Sequence, residues 1–454
     1  MKRHLVPRSV GGRLACAAAA VGLVSAMVGM APAASARGLN HSNIVYHVSP
    51  HVQLFHRGSA TPAAGLPAPS VCEANYGFAC YTPQLMRSAY NIPDSWTGAG
   101  QTIVIVDAYG SPTVRSDLHI FDQMFGLPDP TLNVFCPDGC PKTGSAHKGQ
   151  PVGWAEETSL DVQWSHAIAP DATIDLVVAS NNYGNALNTA ERFAVQHHLG
   201  NVMSMSFSSG EAFIAGGGNN LQMLQAHRIY EQAAAQGMSV FASAGDDGGS
   251  NGGTTPSAGY PATDPLVTGV GGTDLFMSDS GAYQSETVWN DADPSLCPFG
   301  CTAGVFGATG GAPSVIWPAP SYMQAVTGQS MKGSSDVSYN ASVYTAVMVY
   351  IGFLGPNSGL YFFGGTSEGS PQWAAITALA NQQAGHSLGN LNPGLYAIGA
   401  NAGQYAADFH DVTVGNNAED GPGSGFDAAT GWDFPTGLGS PNVQNLVGTL
   451  VSGG

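Results

Sequence analysis

The sequence predicts an α/β fold with a parallel β-sheet and helices on both of its faces. Four short runs are continuously apolar, and three stretches of helical length separate them along the chain. Strands that are buried on both faces are continuously apolar, and their alternation with helices is typical of a covered parallel sheet. The predicted strands are 101–107, 172–178, 201–206 and 238–243, and the predicted helices are 156–168, 185–198 and 220–236.

A glycine-rich stretch indicates where a functional site lies on this sheet. Residues 245–255 follow the last of the four strands and are predicted to form a long loop. Loops at the carboxyl ends of parallel strands usually carry the site of an α/β protein. We therefore expect functional side chains at this edge.

The composition excludes several classes of protein. Of 454 residues, 43% are hydrophobic and only 10% are charged, against about 25% charged residues in an ordinary soluble domain, which argues against disorder. The net charge of −18 is not interrupted by any basic tract. Nucleic acid and anionic membrane surfaces are therefore not expected as partners.

The amino terminus has the pattern of a secretory signal. Four basic residues within the first 13 positions precede an apolar run, 14–30, which Ala34-Ser35-Ala36 follows. This pattern predicts a signal peptide, 1–36, cleaved after Ala36, with an uncleaved membrane anchor as the alternative. Residues 37–80 are predicted to be a short leader, and 81–454 the main domain.

Six cysteines follow the predicted signal peptide, in three close pairs. An even number of cysteines in a secreted chain favours local disulfides. A zinc cluster formed by the last two pairs is the alternative, but four thiolates on a secreted chain would compete with oxidation and no histidine stands at finger spacing. The pairs are Cys72 with Cys80, Cys136 with Cys140, and Cys297 with Cys301.

Ser367 is a candidate nucleophile. It precedes Pro371 and a strong helix-forming stretch that begins at Gln372, so it is predicted to lie at a helix amino terminus. There, backbone N–H groups and the helix dipole stabilise negative charge. Simple helix capping is the alternative.

Acidic residues occupy two further positions of interest. Glu157 and Asp161 lie four residues apart on a predicted helix, so both carboxylates project from one face and share a proton if they are adjacent. Asp246 stands where a predicted strand meets the glycine-rich loop. Taken alone, the pair would be solvated surface and Asp246 a turn residue. No histidine motif that would activate a serine is present.

Together these motifs resemble the sedolisin family of serine-carboxyl peptidases, which have a subtilisin-like fold. The resemblance runs from about Tyr81 to the carboxyl terminus. Its most specific elements are Gly365-Thr-Ser367-x-x-x-Pro371, Glu157-x-x-x-Asp161 with Ala167-Ile-Ala-Pro170, and Ser243-Ala-Gly-Asp246.

The resemblance implies a role for each residue. Ser367 is the nucleophile, Glu157 is the base that takes its proton, and Asp161 orients Glu157. Asp246 is the acid that stabilises the oxyanion, for which it must be protonated. Asp107, at the end of the first strand, either supports the acid pair or is a buried structural acid.

The resemblance also implies one structural Ca²⁺ site near the carboxyl terminus. Carboxylates and backbone carbonyls form the oxygen-rich shell that calcium needs, and a plain acidic loop is the alternative. Family members often have glycine at the position of Ala429. The implied ligands are the side chains of Asp411 and Asp433 and the carbonyls of Val412, Ala429 and Gly431.

The chain departs from the family pattern at two places. Phe207 stands where relatives often have tryptophan, so hydrogen bonding around the acid pair is expected to differ. The leader, 37–80, is too short to be the large prodomain that relatives carry.

The sequence thus predicts a secreted, monomeric, calcium-stabilised endopeptidase that cleaves proteins or peptides in acid. A neutral subtilisin-type hydrolase and a non-catalytic secreted binding protein are the alternatives. Endopeptidase and tripeptidyl-peptidase action are not distinguished.

Overall fold

The structure, a computed structural model, describes residues 43–48, 51–58, 66–141, 150–215, 220–296, 307–419, 421 and 423–453. These residues belong to one unit, Gly38–Gly454, and the predicted signal peptide lies outside them. None of the described helices combines the length and the apolar character needed to cross a bilayer.

Strands and helices alternate through the first half of the chain, as predicted. Two short 3₁₀ helices, Pro294–Leu296 and Gly355–Asn357, join other elements. The strands are β1 (His51–Arg57), β2 (Thr102–Ala108), β3 (Leu132–Phe135), β4 (Thr173–Ala179), β5 (Val202–Met205), β6 (Ser209–Gly210), β7 (Ser239–Ser243), β8 (Gly259–Tyr260), β9 (Thr268–Met277), β10 (Tyr283–Val288), β11 (Pro313–Pro318), β12 (Met331–Gly333), β13 (Val337–Asn340), β14 (Val347–Ile351), β15 (Gly359–Gly364), β16 (Phe409–His410) and β17 (Ser440–Pro441). The α-helices are α1 (Pro69–Tyr76), α2 (Pro83–Ala89), α3 (Val114–Phe125), α4 (Gln150–Ile168), α5 (Gly184–Gln196), α6 (Glu211–Ala215), α7 (Leu221–Ala235), α8 (Ser321–Thr327), α9 (Thr366–Ala384), α10 (Asn392–Gly399), α11 (Ala402–Asp408) and α12 (Val443–Ser452).

The central sheet of the described residues has eight strands, and seven of them are parallel. Its order is β10-β9-β7-β5-β2-β4-β3, with β13 pairing in parallel beside β9. Only β10 runs antiparallel to its neighbour. The four strands predicted from apolar runs correspond to β2, β4, β5 and β7, which confirms the predicted parallel sheet.

Two cores lie on the two faces of this sheet. Successive side chains of a strand point to opposite faces, and on β2 the residues Ile103 and Ile105 join one core while Val104 and Val106 join the other. The first core contains α3, α9, α12 and most of α4, and the second contains α5 and α7. Helices therefore cover both faces, as expected from the uninterrupted apolar strands.

The described residues that precede Tyr81 pack against the rest of this unit. Strand β1 pairs antiparallel with β15 and extends a three-stranded sheet. Disulfides join Cys72 to Cys80 and Cys136 to Cys140, as predicted. The predicted pair of Cys297 and Cys301 lies outside the described residues.

Candidate active site

The structure brings the four sequence-predicted residues to one edge of the central sheet. Glu157 and Asp161 lie on α4, Asp246 follows β7, and Ser367 is the second residue of α9. Glu157 and Asp161 are 0% exposed, Ser367 is 3% exposed and Asp246 is 6% exposed. The carboxyl ends of parallel strands and two helices thus place three acids around one serine.

Helix α4 is buried on all sides over its last three turns, so its acid pair is not solvated surface. Every residue from Glu157 to Ile168 is buried, and α4 packs against α9 and β14. A helix that is enclosed all round has no polar face. His166, further along the same helix, is also 0% exposed, with Nε2 3.1 Å from Oδ1 of Asp122.

Three carboxyl groups form a buried cluster with few donors. Neither oxygen of Glu157 or Asp107 has a hydrogen-bond partner among the described residues, and Asp161 has one at a single oxygen only. Burial raises the pKa of Glu157 and of Asp161 well above their usual values, and the charge of Asp107 raises both further. Burial also raises the pKa of Asp107 to about 7. The cluster therefore holds protons in acid and shares them between neighbouring groups.

The hydroxyl of Ser367 faces Glu157. It lies close enough to lower the pKa of that carboxyl, but it does not form a hydrogen bond in this conformation, since both Glu157 oxygens lack a partner. Such contacts are often long without substrate and shorten when substrate binds. Phe207 stands where the family pattern often has tryptophan. Its ring centroid lies 5.9 Å from that of Trp154, and its side chain offers no hydrogen-bond donor to the acid cluster.

Helix α9 begins earlier than the sequence suggested. The strong helix-forming stretch begins at Gln372, but α9 starts at Thr366 and contains Pro371 in its second turn. Proline lacks an N–H and so leaves the carbonyl four residues before it without its helical partner. That carbonyl belongs to Ser367, and the hydroxyl of Ser206 lies 3.3 Å from it. Ser206 therefore lies beside the carbonyl that Pro371 leaves without a helical partner.

Ser206 also links the serine to the acid cluster. Its Oγ lies 2.9 Å from Oδ1 of Asp161 as well as 3.3 Å from the carbonyl of Ser367. One hydroxyl proton cannot serve both acceptors. When Asp161 is protonated, it donates to Ser206, which then donates to Ser367; when Asp161 is ionised, Ser206 donates to the carboxylate.

Asp246 is fixed at the amino terminus of α9. Its Oδ1 accepts hydrogen bonds from the backbone N–H of Thr366 at 2.7 Å and from the Thr366 hydroxyl at 2.6 Å. Burial raises the pKa of Asp246 to about 7, although these hydrogen bonds lower it. Gly365 has φ +123°, and a Cβ there would lie 2.9 Å from Oδ2 of Asp246. Glycine is therefore required next to this carboxyl.

A cavity of about 400 Å³ opens onto Ser367 and Asp246. Oδ2 of Asp246 accepts no hydrogen bond from any described residue, so it is free to face a ligand in the cavity. As the second residue of α9, Ser367 also has a backbone N–H without an intrahelical acceptor. The cavity is thus lined by two residues that together carry a hydroxyl, a carboxyl and a free backbone N–H.

The carboxyl-terminal loops bring the two predicted calcium-binding side chains together. Asp411 accepts from the N–H of Gly431 at 3.1 Å, and Oδ2 of Asp433 accepts from the N–H of Ala429 at 2.9 Å. Burial raises the pKa of Asp433 to about 6, and the charge of Asp411 contributes. No described residue donates to the carbonyls of Val412, Ala429 or Gly431.

These residues fit calcium in their chemistry. Two neighbouring carboxylates and three free carbonyls form an all-oxygen donor set of the kind that Ca²⁺ prefers. Within the described ranges, no group of three or more His, Cys, Asp and Glu side chains is arranged to hold a metal. A calcium ion here would therefore depend on main-chain oxygens as much as on side chains.

Three further residues contribute to the site without a role predicted from the sequence: Ser206, Gly365 and Thr366. Ser206 follows β5 directly, and its place at a strand end is the signal that could have identified it. Gly365 and Thr366 lie inside the recognised serine motif, but their contacts with Asp246 join residues 120 positions apart. Spacing along the chain does not reveal such contacts.

A serine at a helix amino terminus beside buried carboxyl groups is the arrangement of a candidate serine nucleophile with carboxyl partners. Known proteins have a similar sequence and a similar fold. No protein-family model matches the chain. The chain is 32% identical to kumamolisin from Bacillus sp. (strain MN-32) over 384 residues, which are 82% of this chain and 64% of kumamolisin. It is 31% identical to sedolisin from Pseudomonas sp. (strain 101) over 393 residues, 82% of this chain and 62% of sedolisin.

A solved structure gives the same result. The structure of Pseudomonas sedolisin, a serine-carboxyl proteinase complexed with two molecules of pseudo-iodotyrostatin, matches with a TM-score of 0.71 and 28% identity. The match covers 82% of this chain and 98% of that one. The chain belongs to the sedolisin family, and the predicted subtilisin-like α/β fold is confirmed. It spans less than two thirds of the length of the curated relatives named above.

Proposed function

We propose that the protein is a secreted serine-carboxyl endopeptidase that hydrolyses peptide bonds in acid. One observation carries the proposal: the Ser367 hydroxyl faces Glu157, a fully buried carboxyl group that has no hydrogen-bond donor of its own. A buried carboxylate without donors is a strong proton acceptor. It can replace the histidine that activates serine in other hydrolases.

In the proposed reaction, Ser367 Oγ attacks the carbonyl carbon of a peptide bond. Glu157 takes the hydroxyl proton and later gives it to the leaving amine, and Asp161 and Asp107 hold the remaining protons of the cluster. Water then attacks the acyl-enzyme, again with Glu157 as the base, and releases the carboxyl product.

Asp246 is the proposed donor to the oxyanion. A carboxyl group donates a hydrogen bond only when it is protonated, and the pKa of Asp246 is raised to about 7. Asp246 and Ser367 both line the cavity, and Oδ2 of Asp246 and the backbone N–H of Ser367 are the proposed donors. Together they would stabilise the negative oxygen of the tetrahedral intermediate in acid.

Calcium is the proposed structural cofactor. Asp411 and Asp433, with the carbonyls of Val412, Ala429 and Gly431, would hold one ion and tie the carboxyl-terminal loops together. The ion has no proposed part in the reaction.

The remaining assignments follow from the sequence pattern. We propose a signal peptide, 1–36, a leader, 37–80, and a peptidase domain, 81–454, that acts outside the cell as a monomer. The disulfides at Cys72–Cys80 and Cys136–Cys140 support an oxidising compartment. Its substrates would be proteins or peptides.

Digestion of a denatured protein between pH 3 and pH 7 tests the proposed activity. Fragments from internal sites would support an endopeptidase, and tripeptides from the amino terminus would support a tripeptidyl-peptidase. Ser367→Ala should abolish both, whereas Ser370→Ala, one turn further along α9, should not. Equal activity of Ser367→Ala and wild type, purified identically, would refute the proposal.

A further inference from the structure

Residues 43–48, here called the 43–48 segment, help to line the cavity onto which the proposed active site opens, through Asn43, Ile44, Val45, His47 and Val48. The segment is extended and pairs on both sides. The N–H of Tyr46 donates to the carbonyl of Asn182 at 3.0 Å, and His47 and Ser208 exchange two main-chain hydrogen bonds at 3.0 and 3.1 Å. Clefts that recognise extended peptides hold them by such main-chain pairing. The segment therefore borders the cavity and is held by main-chain pairing as a bound peptide would be.

The direction of the 43–48 segment relates it to Ser367. His47 pairs antiparallel with Ser208, so the chain beyond His47 runs toward Ser206. The hydroxyl of Ser206 lies 3.3 Å from the carbonyl of Ser367. The segment thus approaches the serine with its carboxyl end, which is the direction of a substrate on the acyl side of the cleaved bond.

One side chain of the segment fills a pocket of its own. Side chains alternate along an extended strand, and Ile44 and Tyr46 point inward, with 2% exposure each. The Tyr46 ring centroid lies 4.9 Å from that of Phe207 in an edge-on contact and 6.5 Å from that of Tyr260 in a stacked one. Main-chain hydrogen bonds do not distinguish one peptide sequence from another, whereas an aromatic pocket favours peptides with a large aromatic side chain at that position.

Resting on the proposed peptidase function, we infer that the pocket around Tyr46 is a substrate subsite that selects a large aromatic side chain. The 43–48 segment occupies this subsite intramolecularly and competes with substrate for it. Phe207 and Tyr260 form the aromatic wall of the pocket and thereby determine specificity.

Equilibrium binding to the full chain carrying Ser367→Ala tests the inference without catalysis. The probes are the fluorescein-labelled peptide Asn-Ile-Val-Tyr-His-Val and the same peptide with Ala in place of Tyr. Tyr46→Ala vacates the pocket and should tighten binding of the Tyr probe about tenfold or more, because burying an aromatic ring has an effect of this size. The Ala probe should bind that variant about tenfold more weakly. Val45→Ala, which alters the opposite side of the strand, is the control and should change nothing.

His47→Pro provides a second route should Tyr46→Ala fail to fold. It removes the N–H donated to Ser208 but keeps the Tyr46 ring, and it should also tighten binding of the Tyr probe. Equal binding of the two probes, or no gain from loosening the segment, would overturn the inference. If the Ser367→Ala chain binds the Tyr probe as expected but the chain that retains Ser367 hydrolyses no peptide between pH 3 and pH 7, the proposed peptidase function is refuted and the pocket remains only as a peptide-binding site.

Discussion

Two buried acids of this protein have the same exposure and opposite surroundings. Glu157 is 0% exposed and has no hydrogen-bond donor among the described residues. Asp336 is also 0% exposed, but it accepts from Lys332 Nζ at 2.7 Å, from the N–H of Gly269 at 2.8 Å and from the hydroxyl of Tyr396 at 2.8 Å. Burial alone therefore does not decide what a carboxyl group does.

The difference lies in what replaces water around each group. Three donors, one of them a cation, hold Asp336 as a structural anion. Burial and the neighbouring acids raise the pKa of Glu157. Its protonation state therefore depends on the charge of those neighbours, and the group can take up and release a proton. The first arrangement stabilises the fold, and the second suits a proton-transfer group.

The largest expected effect is on activity, at the acid without donors. Glu157→Gln keeps the shape but removes the base, and it should lower kcat/KM about 10⁴-fold or more, since members of one catalytic unit depend on each other. Steady-state kinetics with a peptide substrate in acid measure this. Glu156→Gln, its half-buried neighbour, is the matched control and should remain active. Near-wild-type activity of Glu157→Gln would contradict the acid-pair mechanism.

The next largest effect is on stability, at the acid with donors. Asp336→Asn leaves the buried charge of Lys332 without its partner and should lower the free energy of unfolding by about 3–5 kcal/mol. Urea unfolding followed by circular dichroism measures the loss. Asp129→Asn, at an exposed acid, should change it by less than about 0.5 kcal/mol. A loss below about 1 kcal/mol for Asp336→Asn would show that its donors do not stabilise the anion.

Asp246 is intermediate, with donors at one oxygen and none at the other. Its pKa of about 7 keeps it protonated in acid, so activity should fall as pH rises through neutrality and the group ionises. Asp246→Ala, which lacks a donor, should lose about 10²–10³ in rate. Asp246→Asn keeps an N–H donor and should retain more activity than Asp246→Ala. Rate profiles of the three proteins from pH 3 to pH 8 test this, and an alanine variant as active as wild type at pH 4 would exclude the role.

The smallest of these effects concerns the exposed acid of the proposed calcium site. Removing calcium should lower the melting temperature, because an ion that binds only the folded state stabilises it by about 2.7 kcal/mol at a hundredfold excess over Kd. Asp411→Asn should remove this dependence, whereas Asp427→Asn, an exposed acid of the same loop region, should keep it. An unchanged melting temperature after removing calcium from a loaded sample would count against the site.

The sequence predicted the parts of the fold that depend on local pattern. Six elements lie within about two residues of their predicted bounds: the strands β2, β4, β5 and β7 and the helices α5 and α7. The strands were predictable because a strand that is buried on both faces is continuously apolar in sequence. Helix α4 begins at Gln150, six residues before its predicted start. The sequence also identified four of the residues that meet at the candidate site.

Contacts between distant segments could not be predicted. The burial of Glu157 depends on α9 and β14, which lie about 200 residues further along the chain, so the acid pair alone resembled solvated surface. Pro371 leaves the carbonyl of Ser367 without its helical partner, and the side chain beside that carbonyl is Ser206, 161 positions away along the chain. Likewise, nothing in the pattern around Tyr46 indicates that it pairs near Asn182.

Covalent labelling of Ser367 by a small active-site phosphonate tests most directly whether Glu157 activates this serine. At acid pH, mass spectrometry should locate the label on Ser367, with a labelling rate at least about 100-fold lower in Glu157→Gln and unchanged in Glu156→Gln. A label on another residue, or equal rates in wild type and Glu157→Gln, would contradict the proposed serine-carboxyl mechanism.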